Sequence, residues 1–91
     1  MRRVNTDRLA RLARAYRLSE GEAGRLVREG SGISLRELAT TIGTNMGELS
    51  RWERGLARPR ADFALRWLEA VEAIRSELAG ADRSAELEAV P

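Results

Sequence analysis

Arginine side chains are the groups in this sequence best suited to binding chemistry. All sixteen basic residues are arginine, and the chain contains neither histidine nor cysteine. Their absence removes the commonest general base, thiol nucleophiles, disulfides and the usual zinc ligands. A planar guanidinium instead binds phosphates and carboxylates through its forked N–H donors. We therefore expect a binding protein that uses no metal and no cofactor, and we do not expect an enzyme.

The charge is unevenly distributed along the 91 residues. Residues 1–17 carry a net charge of +5, residues 18–60 carry +1, and residues 61–91 carry −4. A basic N-terminal segment and an acidic C-terminal segment favour an oriented contact with a polyanion. The alternative interpretation is a mixed, solvated surface. No apolar run approaches the ~20 residues of a membrane span, so we expect no membrane partner.

The spacing of the apolar residues predicts helices and no strands. Five helices are expected, at about residues 6–16, 19–29, 34–42, 45–54 and 61–78. The second is expected to begin with a capping box of Ser19 and Glu22 and to bury Ala23, Leu26 and Val27. Gly80 is expected to end the fifth, and the last dozen residues, polar and acidic without a packing stripe, are predicted to be frayed or disordered.

Two short helix patterns meet at a single glycine in the middle of the chain. Ser34 and Glu37 have the spacing of a capping box, and Gly43 ends that helix after about two turns. Asn45 caps the next helix. Helices this short, joined through Gly43-Thr44-Asn45, cannot lie antiparallel and must cross steeply. The buried side of the crossing is predicted to consist of Leu38, Ile42, Leu49 and Trp52.

The opposite side of the 45–54 helix has nothing to bury and is free to contact a partner. The outward positions are Met46, Gly47, Ser50, Arg51 and Arg54. A helix that packs on one face and exposes the N-terminal half of its other face can enter the ~12 Å major groove of duplex DNA. The pattern therefore indicates a nucleic-acid-binding helix.

Residues 34–60 resemble the helix-turn-helix of the Cro-like, phage-repressor or Xre-type regulators. The shared features are "SLRELATTIG" at 34–43, the apolar Leu49, "RWERG" at 51–55 and "RPR" at 58–60. The wider resemblance runs from about Leu26 to Leu68. It implies an all-α, five-helix lambda-repressor-like domain. The extra, basic N-terminal helix and the frayed acidic C-terminal tail that we also expect lie outside the resemblance. The corresponding divisions are residues 1–18, 19–79 and 80–91.

The resemblance also implies a role for each matching position. Base contacts are implied for Met46, Gly47 and Arg51, and the fork of Arg51 can take guanine O6 and N7 together. An ion pair between Arg28 and Glu53 is implied as a brace of the motif. Contacts to the phosphate backbone are implied for Ser34, Arg36, Asn45, Arg54, Arg58 and Arg60.

The sequence departs from the family pattern at the DNA-facing positions. Leu35 stands where many relatives have glutamine. Met46 offers only apolar contact, Gly47 offers no side chain, and Glu48 brings negative charge near the DNA. These departures are compatible with shape readout, or with specificity shared among arginines.

The last predicted helix carries more apolar surface than a small core needs. Trp67, Val71, Ile74 and Leu78 step by four, three and four residues, the spacing of a short coiled contact. We expect this seam, or the stripe of Leu9, Leu12 and Tyr16, to form a twofold dimer. The alternative is that the two stripes pack on each other within one chain.

The sequence thus predicts a sequence-specific, double-stranded DNA-binding transcriptional regulator. We expect a repressor that acts as a homodimer by occupying operator DNA. It would be a cytoplasmic, nucleoid-associated protein. The alternative is an antitoxin-like or adaptor module that uses the helix-turn-helix scaffold, with its C-terminal helix or tail against a protein partner.

Overall fold

The computed structural model describes the backbone of residues 4–89 and the side chains of residues 4–81. In this part of the chain all regular structure is helical, which confirms the predicted all-α class. None of the helices in residues 4–89 is long and apolar enough to cross a membrane. The five helices are α1 (Thr6–Leu18), α2 (Ala23–Ser31), α3 (Leu35–Ile42), α4 (Met46–Glu53) and α5 (Ala61–Ala89).

Side-chain caps fix the start of three helices, and those of α3 and α4 are the caps that the sequence predicts. Asn5, Ser34 and Asn45 precede α1, α3 and α4, and each side-chain oxygen accepts the backbone N–H three residues further on. The donor–acceptor distances are 2.8 to 3.0 Å. Each cap satisfies an N–H that has no partner within its own helix, which is worth ~1 kcal/mol.

The start of α2 differs from the prediction. Ser19 does not cap this helix; it ends α1, and its hydroxyl donates to the carbonyl of Tyr16 at 2.7 Å. The residue before α2 is Glu22, whose side chain makes no capping hydrogen bond. The predicted capping box is therefore wrong, because a serine can equally well bond back to the helix that precedes it.

The buried face of α2 also differs from the prediction. Gly24 is buried beneath Trp67, and a Cβ built at Gly24 would lie 2.9 Å from the indole Cζ2. Ala23 is exposed, Leu26 is 56% exposed, and only Val27 packs against the core. The large indole takes the space directly under the helix, which brings the glycine rather than the apolar stripe to the interface.

The core lies where α1, α3 and α4 pack around the N-terminal half of α5. The predicted buried side of the α3–α4 crossing is confirmed, since Leu38, Ile42, Leu49 and Trp52 are all buried. The Trp52 ring centroid lies 5.9 Å from that of Trp67, in a tilted arrangement that is favourable for aromatic pairs. The rest of the core is contributed by Ala15, Leu18, Ala39, Ala64, Trp67, Leu68 and Val71.

The predicted dimer seam is mostly inside the monomer. Trp67 and Val71 have no exposed surface and Ile74 is 9% exposed, which leaves only Leu78 half-buried. Helices α1 and α2 cover this side of α5, and Leu12 and Tyr16 pack against the core. The prediction that this seam forms an intermolecular contact is therefore wrong. The seam packs within one chain, because α1 supplies its apolar partner.

The C-terminal helix is longer than predicted. Helix α5 does not end near Leu78 but continues through Gly80 to Ala89, so a disordered tail from residue 80 is wrong over residues 80–89. Alanine, glutamate, leucine and arginine dominate residues 81–89 and are strong helix formers, which offsets the ~1 kcal/mol cost of one internal glycine. The predicted disorder of Val90 and Pro91, and any role of residues 1–3, lie outside the described residues.

Candidate nucleic-acid interface

The turn between α3 and α4 is tight and depends on Gly43. This residue has a φ of +92°, in the left-handed region that glycine adopts most readily. The N–H groups of Gly43 and Thr44 both donate to the carbonyl of Ala39 at 2.9 Å, which closes the end of α3. Asn45 then starts α4 at once, so only three residues separate the two helices.

An ion pair between Arg28 and Glu53 braces the motif, as the resemblance implies. Arg28 Nε donates to Glu53 Oε2 at 2.8 Å, and Arg28 Nη2 donates to Glu53 Oε1 at 3.0 Å. Arg28 Nη1 also donates to the carbonyl of Ile33, at 3.1 Å. One guanidinium therefore joins α2, the residue before the cap of α3 and the end of α4.

Burial makes this pair structural rather than DNA-binding. The Glu53 side chain is 3% exposed and that of Arg28 is 12% exposed. Hydrogen bonding to Glu53 raises the pKa of Arg28 above its ordinary value, and burial opposes the increase only in part. Both residues therefore serve to hold α4 against α2 and α3.

Arg66 forms a second brace that the sequence did not reveal. Its Nη1 donates to the carbonyl of Ile42 at 3.4 Å, although the two residues are 24 positions apart. The Arg66 guanidinium also lies 5.5 Å from the Phe63 ring centroid. Arginine commonly satisfies the last carbonyls of a helix, but nothing in the sequence pairs a residue of α5 with the end of α3.

The face of α4 that the sequence assigned to base contacts is open to solvent. Met46 is 40% exposed, and Gly47 and Arg51 are also exposed. Arg51 forms no ion pair with any of the described residues, so no acidic side chain among them occupies its N–H donors. A Cβ at Gly47 would lie 3.3 Å from Asn45 Oδ1, so a side chain there would press on the helix cap.

The residues assigned to phosphate contacts fall at the starts and flanks of this motif. Ser34 and Asn45 occupy the N-caps of α3 and α4, where free N–H groups and the helix dipole favour an anion. Arg36 and Arg60 are exposed and form no ion pair within the described residues, and the Nε of Arg54 donates to the carbonyl of Ser50 at 3.3 Å.

The loop after α4 brings two arginines beside the start of the same helix. Arg58 and Arg60 line one shallow groove together with Thr44 and Glu48. The guanidinium of Arg58 also lies over the ring of Tyr16, a contact to α1 that no sequence signal indicated. The structure thus gathers the caps of α3 and α4, the outer face of α4 and this loop into one motif.

This arrangement defines a helix-turn-helix domain: a short helix, a glycine turn, and a second helix braced from behind with its outer face exposed. The chain belongs to the HTH_3 helix-turn-helix family, whose family model matches residues 25–72, just over half of the chain. The resemblance to Xre and Cro-like proteins is confirmed, and the fold is the lambda-repressor-like one.

Membership of this family makes the chain a DNA-binding helix-turn-helix regulator, in a family that is generally not enzymatic. No curated protein and no solved structure gave a match to the chain. The matched residues contain most of α2, all of α3 and α4, and the N-terminal part of α5, whereas α1 lies outside them.

Proposed function

We propose that this protein is a sequence-specific repressor that occupies operator sites in double-stranded DNA. The observation that carries the proposal is the contrast between the two faces of α4. Its inner face is fixed by Leu49, Trp52 and the Arg28–Glu53 pair, while its outer face presents Arg51 without an acidic partner among the described residues. A rigid helix with an exposed fork suits the major groove.

Arg51 carries the main share of base readout in this proposal. Its two parallel N–H donors match guanine O6 and N7, a contact worth ~1–3 kcal/mol of discrimination against the wrong base. Met46 adds an apolar contact, such as a thymine methyl group. Gly47 lets the backbone approach the bases closely, since it has no side chain to hold the helix away.

The phosphate contacts supply affinity rather than specificity. Ser34 and Asn45 would meet the DNA backbone at the two helix starts, where the Asn45 amide and free N–H groups are available. The Ser34 hydroxyl would have to give up its 3.2 Å hydrogen bond to Glu37 Oε1 to donate to a phosphate. The four arginines that flank these caps neutralise phosphates and release counterions, which makes the affinity dependent on salt. They are Arg36, Arg54, Arg58 and Arg60.

We further propose that the protein acts as a homodimer, through a groove at the C-terminal end of the predicted seam, where Ile74 and Leu78 lie, and not through the fully buried Trp67 and Val71. A shallow groove of about 490 Å³ runs between the end of α2 and the middle of α5. Its lining is largely apolar and includes Ile33, Ile74 and Leu78. A twofold contact here would make the protein read an inverted repeat, with the two α4 helices about one DNA turn apart. Its place of action would be the nucleoid, in the cytoplasm.

Selection of bound duplexes from a random pool tests the proposal most directly. We expect an enriched inverted repeat, and sedimentation at micromolar concentration should give a dimer. An unselective pool would contradict sequence-specific binding, and a monomer would contradict the twofold model. Co-purification of a protein partner without a shift of any duplex at low salt would favour the antitoxin-like or adaptor alternative instead.

Arg51→Ala tests the base contact separately. We expect this variant to lose ~1–3 kcal/mol of discrimination at one base position of the selected site. Arg75→Ala is the matched control, since Arg75 is exposed on α5 and its substitution removes the same charge. Equal losses on every duplex for Arg51→Ala would contradict the role proposed for this side chain.

A further inference from the structure

The C-terminal end of α1 lies against the loop that follows α4. We name Tyr16, Ser19 and Glu20 the α1 shelf. Gly55 has a φ of +72°, and a Cβ at this residue would lie 3.0 Å from the carbonyl oxygen of Ser19. Three positions further on, the Arg58 guanidinium carbon lies 4.5 Å from the centroid of the Tyr16 ring. Two points of the loop therefore rest on one short segment of α1.

Two residues of the α1 shelf, Tyr16 and Ser19, are more firmly held than the arginine that lies beside them. Tyr16 is half-buried and packs against the hydrophobic core. Ser19 is buried, and its hydroxyl bonds to the carbonyl of Tyr16. The Arg58 side chain, in contrast, is 59% exposed. A long arginine at such a site loses much conformational freedom on binding DNA, unless the protein has already restricted it.

The cation–π contact with Tyr16 restricts Arg58, and a guanidinium that stacks on a ring keeps its hydrogen-bond donors free. The N–H groups of a guanidinium point outward in its plane, whereas the cation–π contact involves the face of that plane. An arginine over an aromatic ring can therefore still bind a phosphate oxygen. The ring sets the direction of the side chain, and the N–H donors remain available to the DNA.

Glu20 acts on the same arginine in the opposite direction. Its Oε1 lies 3.8 Å from Arg58 Nη2, and both side chains are largely exposed. A carboxylate at this distance competes with a phosphate for the guanidinium. The α1 shelf thus contains one group that supports a phosphate contact and one that weakens it.

We propose that α1, which lies outside the matched family region, is a positioning element for DNA binding: Tyr16 orients Arg58 toward a backbone phosphate, and Glu20 limits the strength of that contact. This inference rests on the proposed function, since it takes Arg58 to be a phosphate contact. Tyr16 itself does not touch the DNA. Its effect on affinity passes entirely through Arg58.

A double-mutant cycle on a duplex from the selected pool tests Tyr16. We expect Tyr16→Leu to weaken binding about two- to five-fold, the range of an exposed cation–π contact expressed as an affinity ratio. Tyr16→Phe keeps the ring and should bind like the wild type. In an Arg58→Ala background, Tyr16→Leu should cause no further loss, because the group that it orients is gone.

Glu20→Gln provides a second measurement that does not disturb the core. We expect it to strengthen binding about two-fold at low salt, with the gain disappearing in the Arg58→Ala background. Glu22→Gln is the matched control, because Glu22 pairs with Arg25 rather than Arg58. Removing its charge should not reproduce an effect that depends on Arg58.

The outcomes separate this inference from the function on which it rests. Wild-type protein that shifts no duplex would overturn both. Selective DNA binding with additive Tyr16 and Arg58 effects, or with no loss in Tyr16→Leu, would overturn the positioning role alone. If Tyr16→Leu does not fold, as circular dichroism would show, a Glu20→Gln effect that persists without Arg58 would overturn the inference by itself.

Discussion

Removing the carboxylate of Glu53 should strongly destabilise the fold. Glu53 is 3% exposed and accepts two hydrogen bonds from Arg28, which is itself 12% exposed. Glu53→Ala leaves a largely buried guanidinium without its counter-charge, and breaking such a pair costs ~3–5 kcal/mol. Arg28 keeps its bond to the Ile33 carbonyl and some contact with water, so we expect about 3 kcal/mol, at the lower end of that range.

Urea denaturation followed by tryptophan fluorescence measures this loss, since Trp52 and Trp67 are both buried in the core. With an m-value of about 1 kcal/mol/M, the midpoint should fall by about 3 M. A domain of this length has a total stability of only about 5–14 kcal/mol, so the change removes a large share of it. Replacing both partners, Arg28→Met with Glu53→Leu, should recover most of the loss, because no charge is left buried.

Glu29→Ala is the matched control for this prediction. Glu29 also faces Arg28, at 3.9 Å, but its side chain is 54% exposed, so its removal should cost less than ~1 kcal/mol. The raised pKa of Arg28 means that its contribution is complete below its ordinary pKa and is lost only as the pH rises through the folded-state value. The Glu53→Ala effect should therefore be equal at about pH 7 and about pH 9. A midpoint shift no larger than that of Glu29→Ala would refute this reasoning.

Three further substitutions test the packing and the helix ends. Gly24→Ala should lower the free energy of unfolding by ~1–3 kcal/mol, because the new methyl group meets the Trp67 ring at 2.9 Å. Gly21→Ala is the control, since a Cβ there has nothing within 4 Å and should not clash. A similar loss of stability in Gly21→Ala would count against the packing argument. Asn45→Ala should cost ~1 kcal/mol through the lost cap of α4, as chemical denaturation would show, and an unchanged midpoint would contradict the capping role. Gly80→Ala should stabilise the protein by up to ~1 kcal/mol and raise the helical circular-dichroism signal, because α5 continues through this residue; a decrease would favour a helix end there.

Local signals in the sequence were sufficient to predict the helix-turn-helix. The caps Ser34 and Asn45 and the left-handed Gly43 act within a few residues of their own position, so their chemistry can be read from the printed sequence. The same local reasoning failed at Ser19, which lies between two helices and can bond to either. Its hydroxyl bonds back to Tyr16, and the pattern of residue types alone does not distinguish the two choices.

Contacts between distant segments could not be obtained in the same way. The spacing of Trp67, Val71 and Ile74 identifies an apolar face but not its partner, and that partner proved to be the chain itself. The contacts of Arg66 with Ile42 and of Arg58 with Tyr16 likewise depend on how helices pack. Arg28 with Glu53 was the exception, because the resemblance supplied the pairing that spacing could not.

In the proposed function, the two faces of α4 separate stability from recognition. Leu49, Trp52 and Glu53 are buried, so substitutions there act first on the fold. Met46 and Arg51 are exposed, and substitutions at these positions should alter the bound sequence with little change in stability. Gly47 does not share this freedom, because a side chain would press on the Asn45 cap. Changes of target preference in this scaffold should therefore arise mainly at positions 46 and 51.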